Sequence, residues 1–422
     1  MKWWIKKPLY LKIFICVVLG AILGLILGPN TKFIKPIGDI FVRLLKMLIV
    51  PLTFFTLAAG VTKMGDMKSL RSTGGMIMVY YLITSAFAAA VGMVIAFILK
   101  PGTEVAGLLD AGAKVAKPEF NFLKNIIEWV PTNPVEAMAN TNMLQIIVFA
   151  LFVGCALLAL GDKVKGLTNI FDQCSDTMIK ITDFVMGFAP YGILALVADM
   201  VSTLGAKMLA AVGRFIVTDI IGILIMLCIV YPLIMKFYGK LSPIRFYKNV
   251  APAMLVAAST TSSNATLPVS LSVADKNLGI PEKVYGFSLP LGATVNMDGM
   301  AVALGVIAVF ASNLYGVPIT GGSILQFIFL GLVLSVGAAG VKGAGIVMSS
   351  VLLQTLGMPL TLIPILAAIW PIIDIGHTTT NVTGDLCGST VISSRLKLIN
   401  LKIFNGDSSA VNTKSVSNTK SV

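Results

Sequence analysis

The chain alternates apolar runs with short polar breaks, and the rhythm changes near residue 240. Before that point, apolar runs cover 13–27, 44–59, 76–99, 144–160, 184–201 and 210–234. Each approaches or exceeds the roughly 20 residues that a helix rising 1.5 Å per residue needs to cross hydrocarbon, so six crossings are expected in the first half. After residue 250 the apolar stretches are broken in a repeating order by "ASTTSSNATLPVS" (258–270), "TVNMDG" (294–299), "GAAGVKGAG" (337–345) and "DIGHTTTNVTGD" (374–385). The first and third breaks have apolar arms of about 11–15 residues, too short for separate crossings and long enough to enter a membrane and return. They predict re-entrant hairpins, each followed by a broken helix. Irregular backbone at membrane depth is tolerated only where protein or a water-filled cavity satisfies it, and paired interruptions of this kind mark a transporter's central site.

Composition agrees: 56% of residues are hydrophobic, 12% are charged and the mean hydropathy is +0.91, against about 25% charged in soluble domains. The net charge of +13 raises nucleic acid as a partner, but the basic residues sit in short loops at alternate span ends, as membrane topogenesis places them. Lys2, Lys6, Lys7 and Lys12 precede the first span, Lys63, Lys68 and Arg71 follow the second, and Lys163 and Lys165 follow the fourth. Lys236, Lys240, Arg245 and Lys248 follow the sixth, and Arg395, Lys397 and Lys402 follow the last. Both termini are therefore expected in the cytoplasm of a multi-pass protein of the cell membrane, with lipid and not nucleic acid as its surroundings. "MKWWIKK" before an apolar run has the form of a secretory leader, but no small-residue cleavage site follows it. The five cysteines form no Cys-x-x-Cys pair and read as small apolar residues. The tail from Asn405 has little to bury and is expected to be disordered.

Asp298, Asp374 and Asp385 each cost roughly 2.5–3.5 kcal/mol at the centre of a spanning helix, so they need partners. Between Val284 and Ser394 the only basic residues are Lys342 and His377, the latter neutral at its reference pKa of about 6.5. Three carboxylates against one lysine leave negative charge for external cations to balance. Asn296, Thr294, Asn381, Thr378 and Ser263 supply hard neutral oxygens of the kind that suit small cations. Asp374, Thr378, Asn381 and Asp385 follow one another at intervals of 4, 3 and 4, which puts them on one stripe of a helix, with His377 beside them. Thr379 and Thr380 are expected to bond back to their own helix carbonyls. The chain has no His-Glu-x-x-His, Gly-x-Ser-x-Gly or Gly-x-x-x-x-Gly-Lys-[Ser/Thr] motif, so neither an enzyme nor direct ATP drive is expected. A channel is the rival class; saturable flux that requires sodium separates a carrier from it.

At these residues the chain resembles the dicarboxylate/amino acid:cation symporter family, which includes sodium-coupled aspartate transporters. The likeness runs from about Lys12 to Lys397 and rests on "SSNATLPVS" for a first hairpin tip, "PLGATVNMDG" for an unwound helix seven, "AAGVKGAGIVM" for a second hairpin and "DIGHTTTNVTGD" for helix eight. "YYLITSAFA" (80–88) is similar to the family's helix three and "NPVEAMANTNMLQIIVFALFVG" to its helix four. The resemblance implies an all-α polytopic fold of eight transmembrane helices and two re-entrant hairpins, assembled as a homotrimer and working as an elevator. It divides the chain into scaffold helices 1–2 (1–72), helix 3 of the transport domain (73–100), an external loop with helices 4–6 (101–238, helix 6 on the transport domain), hairpin 1 (239–280), unwound helix 7 (281–315), hairpin 2 (316–357), helix 8 (358–396) and a cytoplasmic tail (397–422).

The same resemblance implies three sodium sites and no other cofactor. One is expected at Asp385, Asn296, Asn381 and the Gly292 backbone, and a second at Tyr81, Thr84, Ser85, Asn296 and Asp298. A third would lie between Thr294 and the carbonyls of Ser335, Val336 and Ala338. Asp374 is expected to hold a solute's α-amino group, while Asn381, Thr378 and the first hairpin tip at Ser262 and Ser263 hold its α-carboxylate. Met300, His377 and the second hairpin tip at Val341, Lys342 and Gly343 would line the side chain. His377 stands where the family has an arginine that forks onto an acidic side chain, and Met300 where it has a threonine. An import of a neutral or polar amino acid with sodium is therefore expected, the alternative being sodium- or proton-coupled uptake of glutamate, aspartate or a C4-dicarboxylate, kept open by Lys342 and His377.

Overall fold

The structure is a computed structural model that describes residues 9–62, 71–106, 127–336, 340 and 343–406. Ala338, Val341 and Lys342, the basic residues Lys2, Lys6, Lys7, Lys63 and Lys68, and the tail from 407 onward lie outside the described residues. The regular elements are helical: α1 (Leu9–Leu27), α2 (Lys35–Thr62), α3 (Arg71–Leu99), α4 (Met143–Leu160) and α5 (Lys165–Ile225), then α6 (Pro243–Thr260), α7 (Ser263–Lys276), α8 (Glu282–Val295), α9 (Asp298–Tyr315), α10 (Gly321–Val336), α11 (Ala344–Thr355), α12 (Ile363–Arg395) and α13 (Leu401–Asn405).

Among the described residues seven helical segments are long and apolar enough to cross a membrane, against the eight helices expected. Gln145–Thr203, at 59 residues, takes in both of the runs expected at 144–160 and 184–201. Its helix is interrupted by a 3-10 turn over Gly161–Val164, and the length is ample for two crossings. α5 then bends at Gly205, whose φ of 66° and ψ of −168° are non-helical and cost a glycine little. Beyond α5 the chain continues through π-helical turns over Met226–Val230 and Ile234–Tyr238.

The hairpin pattern is realised with a longer first arm than the sequence implied. α6 has 18 residues and α7 has 14, and the two pack on each other. Between them Thr261 takes a left-handed φ of 49° and Ser262 caps α7, its hydroxyl oxygen accepting from the Ala265 N–H at 3.2 Å. α10 and α11, of 16 and 12 residues, form the second pair. The tips of the two pairs meet: the Ser262 hydroxyl donates to the Gly340 carbonyl at 2.8 Å, and the Asn264 N–H donates to the same oxygen at 3.1 Å.

Helix seven is broken as expected, α8 ending at Val295 with Asn296 as its cap and α9 starting after Met297. Nearly every residue of α9 is buried, because "DGMAVALGVIAVFASNLY" presents small or apolar groups on all sides, the pattern of a helix enclosed by others. Glycine lets α3 approach it closely. A Cβ at Gly92 would lie 2.1 Å from the Val302 carbonyl oxygen, and one at Gly305 would lie 2.3 Å from that of Ala89. This contact sets the polar face of α3 against the break in helix seven.

Candidate functional site

Four segments converge on that break: α3, the α8–α9 junction, the helical turn at Tyr231 beyond α5 and the middle of α12. The Asn296 amide donates to Asp385 Oδ1 at 2.9 Å and accepts at its Oδ1 from the Thr84 hydroxyl at 3.2 Å. Asp298 receives the Ser85 hydroxyl at 2.9 Å and the Tyr231 hydroxyl at 2.7 Å. Asn381 Oδ1 accepts from the Gly299 N–H at 2.7 Å, and the Tyr81 hydroxyl donates to the Ser288 carbonyl at 2.9 Å. Asn296, Asp298, Ser85 and Tyr81 are all fully buried, and Thr84, Asn381 and Asp385 nearly so. The structure thus brings together Tyr81, Thr84, Ser85, Gly292, Asn296, Asp298, Asn381 and Asp385, the residues expected for the first two cation sites.

Gly292 is part of the arrangement through what it lacks. A Cβ there would lie 2.4 Å from Asp385 Oδ1 and 2.8 Å from the Tyr81 hydroxyl oxygen, so only glycine leaves the space between them. Gly384 plays the same part for Asp298, whose Oδ2 lies 2.9 Å from its Cβ position. The donor set is carboxylate, amide, hydroxyl and carbonyl oxygen, which fits an alkali cation. Among the described residues no group of three His, Cys, Asp or Glu side chains converges to hold a transition metal.

Charge decides what such a cluster requires. The buried carboxylates among the described residues are Asp219, Asp298, Asp374 and Asp385, and the one buried base is His377, with no buried lysine or arginine. Among the described residues, every hydrogen-bond partner of Asp298 and Asp385 is a neutral donor. Taking a carboxylate out of water without a counter-charge costs several kcal/mol even after relaxation. A cation supplied from outside removes that cost.

The remaining expected residues are placed less tightly. Thr294 donates to the Leu291 carbonyl at 2.9 Å and Ser335 to the Leu332 carbonyl at 2.8 Å, each within its own helix. Val336 ends α10 half-buried. Asp374, Thr378 and Asn381 lie on one stripe of α12 and are buried, as are Ser263 and Met300. Gly343 caps α11 with a left-handed φ of 78°. Thr379 and Thr380 bond back to the Ile375 and Gly376 carbonyls at 2.7 and 2.9 Å, as expected.

The sequence assigned His377 to the solute's side chain and gave it no protein partner. Its Nε2 meets both oxygens of Asp219, on α5, at 2.8 and 3.0 Å, and both side chains are fully buried. A fourth carboxylate had been missed, although a lone aspartate inside the apolar run 210–234 is itself a signal. Tyr231, at the end of the same run, was missed too; nothing in the sequence distinguishes it from the other tyrosines of the spans.

A multi-pass helical membrane protein with buried carboxylates and hydroxyls gathered at a broken helix belongs to the class of secondary transporters. The chain belongs to the sodium:dicarboxylate symporter family, whose model matches residues 9–395. It is 30% identical over 401 residues to the proton/sodium-glutamate symport protein of Bacillus caldotenax, covering 92% of this chain and 94% of that one. It is 29% identical over 397 residues to the C4-dicarboxylate transport protein of Bacillus subtilis, with 92% and 93% covered. It is 30% identical over 409 residues to C4-dicarboxylate transport protein 2 of Pseudomonas paraeruginosa, with 93% and 92% covered. These relatives are named as transport proteins and not as enzymes.

Proposed function

We propose that the protein is a sodium-coupled symporter that imports an acidic solute, glutamate, aspartate or a C4-dicarboxylate. The observation that carries sodium coupling is the pair Asp298 and Asp385, buried 0% and 3% exposed with neutral donors only. Sodium bound beside them makes the loaded state neutral enough to move. The names of full-length relatives support an acidic solute over the neutral or polar amino acid read from the sequence. The neutral or polar expectation rested on His377 and Met300 standing where the family has an arginine and a threonine; the His377 imidazole is held by Asp219 at 2.8 Å. Asp374 is assigned to a solute amino group, and Asn381, Thr378 and the tip at Ser262 and Ser263 to its carboxylate.

In this reading the part that moves contains α3, the end of α5, both hairpins, α8, α9 and α12. The scaffold consists of α1, α2, α4 and the first part of α5, which pack on one another. Assembly as a homotrimer in the cell membrane, with cytoplasmic termini and an elevator movement, belongs to the same proposal. Each sodium entering down 100 mV supplies about 2.3 kcal/mol before its concentration gradient counts. Uptake of glutamate, aspartate, succinate and glutamine into vesicles holding the purified protein, with an inward sodium gradient or none, tests this. Sodium-driven accumulation of an acidic solute is expected. Accumulation of glutamine alone would refute the solute, and equal uptake without sodium would refute the coupling.

A further inference from the structure

Outside the cation cluster, a cavity of about 560 Å³ opens between α3, the π-helical turn over Ile234–Tyr238 and the end of α12, in the range of roughly 300–1,000 Å³ that holds small ligands. α3 lines it with Gly75, Val79, Tyr80 and Thr84, and Tyr238 and Ile392 stand opposite. Gly75 keeps the space open, because a Cβ there meets nothing within 4 Å. The back of the cavity is held firmly. The Tyr80 ring lies so near α12 that a Cβ at Gly388 would meet its Cε1 at 2.5 Å, and the Ser394 hydroxyl ties α12 to the Gly239 carbonyl at 2.8 Å. Val79 and Tyr238 are exposed on helices long and apolar enough to cross a membrane, so the cavity opens toward hydrocarbon. Its mouth carries charge of one sign. The Arg395 guanidinium carbon lies 4.9 Å from the centre of the Tyr238 ring, and Lys236, in the same π-helical turn, has its Nζ 5.7 Å from the Phe237 ring. The stretches 74–84, 230–242 and 388–402 hold Lys236, Lys240, Arg395, Lys397 and Lys402 and no Asp or Glu. Basic residues at one end of a groove between membrane helices suit an anionic headgroup.

We propose that this cavity binds one anionic phospholipid, an acyl chain filling the space beside Gly75 and the phosphate lying at Arg395 and Lys236, and that the bound chain steadies the wall shared with the cation cluster. That wall is Thr84. It lines the cavity, and its hydroxyl donates to Asn296 Oδ1 at 3.2 Å, while the Asn296 amide donates to Asp385 at 2.9 Å. Tyr80 stands beside Tyr81 of the same cluster, their ring centres 5.9 Å apart. An empty cavity forfeits dispersion contacts that a flexible hydrocarbon chain recovers, whereas a polar solute would leave its own groups unpaired against this lining. Lipid that merely coats the protein has no cause to distinguish headgroups or to respond to a side chain at Gly75. A built site has both. By linkage, the lipid and sodium raise each other's affinity by the same factor. This coupling, unlike the lipid site itself, rests on the sodium reading above.

Native mass spectrometry of the purified, delipidated full-length protein, titrated with dioleoylphosphatidylglycerol or dioleoylphosphatidylcholine, reads the lipid count and the subunit number together. Each basic residue at the headgroup contributes about fivefold, so one phosphatidylglycerol per chain is expected to bind about 25-fold more tightly than phosphatidylcholine, and Arg395→Gln to weaken it about fivefold. Gly75→Leu puts a branched side chain into the open space and is expected to abolish this binding, whereas Gly75→Ala keeps it. In nanodiscs of either lipid, the apparent sodium affinity is read from the sodium dependence of the melting temperature. It is expected to be about fivefold higher in phosphatidylglycerol for the native protein, the low end for coupled sites, and equal in the two lipids for Gly75→Leu. Lipid binding that ignores the headgroup, or that persists unchanged in Gly75→Leu, would overturn the proposal. So would a Gly75→Leu protein whose subunit number changes while its lipid count does not, an outcome that assigns the groove to a second copy of the chain. Equal sodium affinity of the native protein in the two lipids would overturn the link to the cation cluster. No sodium effect in either lipid would refute the sodium reading instead, with the lipid count unaffected.

Discussion

Gly299→Ala tests whether the spacing of α9 and α12 sets cation affinity. A Cβ at Gly299 would lie 2.4 Å from the His377 carbonyl oxygen and 2.5 Å from its Cα, where ordinary contact begins at 3.4 Å. Both obstacles are backbone, so no rotamer change relieves them and the two helices must part by about 1 Å. That movement stretches the Gly299 N–H bond to Asn381, now 2.7 Å, and the Asn296 bond to Asp385, now 2.9 Å, beyond hydrogen-bonding range. The fold is expected to lose about 1–3 kcal/mol. An error of 1 Å in a preorganised site costs on the order of 100-fold, so the apparent sodium affinity, read from sodium-titrated solute binding, is expected to fall by a comparable factor. Gly286→Ala in α8 is the control: a Cβ there meets nothing within 4 Å, and alanine favours the helix. A Gly299→Ala protein that folds and keeps the native sodium affinity would refute the reasoning.

Asp298→Asn removes a buried charge with neutral donors only, so the rise in melting temperature that sodium gives should shrink by one site's share; for one native site a hundredfold excess of sodium over its dissociation constant is worth about 2.7 kcal/mol. An undiminished sodium shift in Asp298→Asn would remove Asp298 from the site. Tyr231→Phe deletes the 2.7 Å donor to Asp298, worth about 1.5–3 kcal/mol to a charged acceptor; thermal unfolding in choline should occur at lower temperature, with a larger rescue by sodium. Gly345→Ala drives a methyl into the Trp370 indole and should cost more than 3 kcal/mol, a loss that Trp370→Leu partly restores in the double variant. Arg214→Ala breaks a 2.7 Å bridge to Glu104 whose partners are 46% and 31% exposed, and should change stability by less than about 1 kcal/mol.

The polar breaks made much of the site legible. A carboxylate, an asparagine and a run of threonines inside apolar sequence stand out because hydrocarbon penalises each of them, and the 4-3-4 spacing from Asp374 to Asp385 falls on one stripe of α12 as helical geometry requires. Partners from other helices were hidden. Ser85 and Thr84 came through the likeness of one short segment, but Tyr231 and Asp219 meet their partners 67 and 158 residues away in sequence, and no local pattern encodes such pairings. The hairpins were readable from arm length, whereas the contact of their tips at Gly340 depends on a glycine that periodicity ignores. The seven long segments in place of eight follow from Gln145–Thr203, whose two apolar runs are linked by nearly continuous helix.

The central claim is that Asp298 and Asp385 tolerate burial because sodium arrives with the solute. Equilibrium binding of labelled glutamate or succinate to the purified protein, in sodium chloride and again in choline chloride at equal ionic strength, addresses it most directly. The account predicts a dissociation constant at least about 100-fold weaker in choline, a coupling free energy near 2.7 kcal/mol. Equal affinity in the two salts would contradict it.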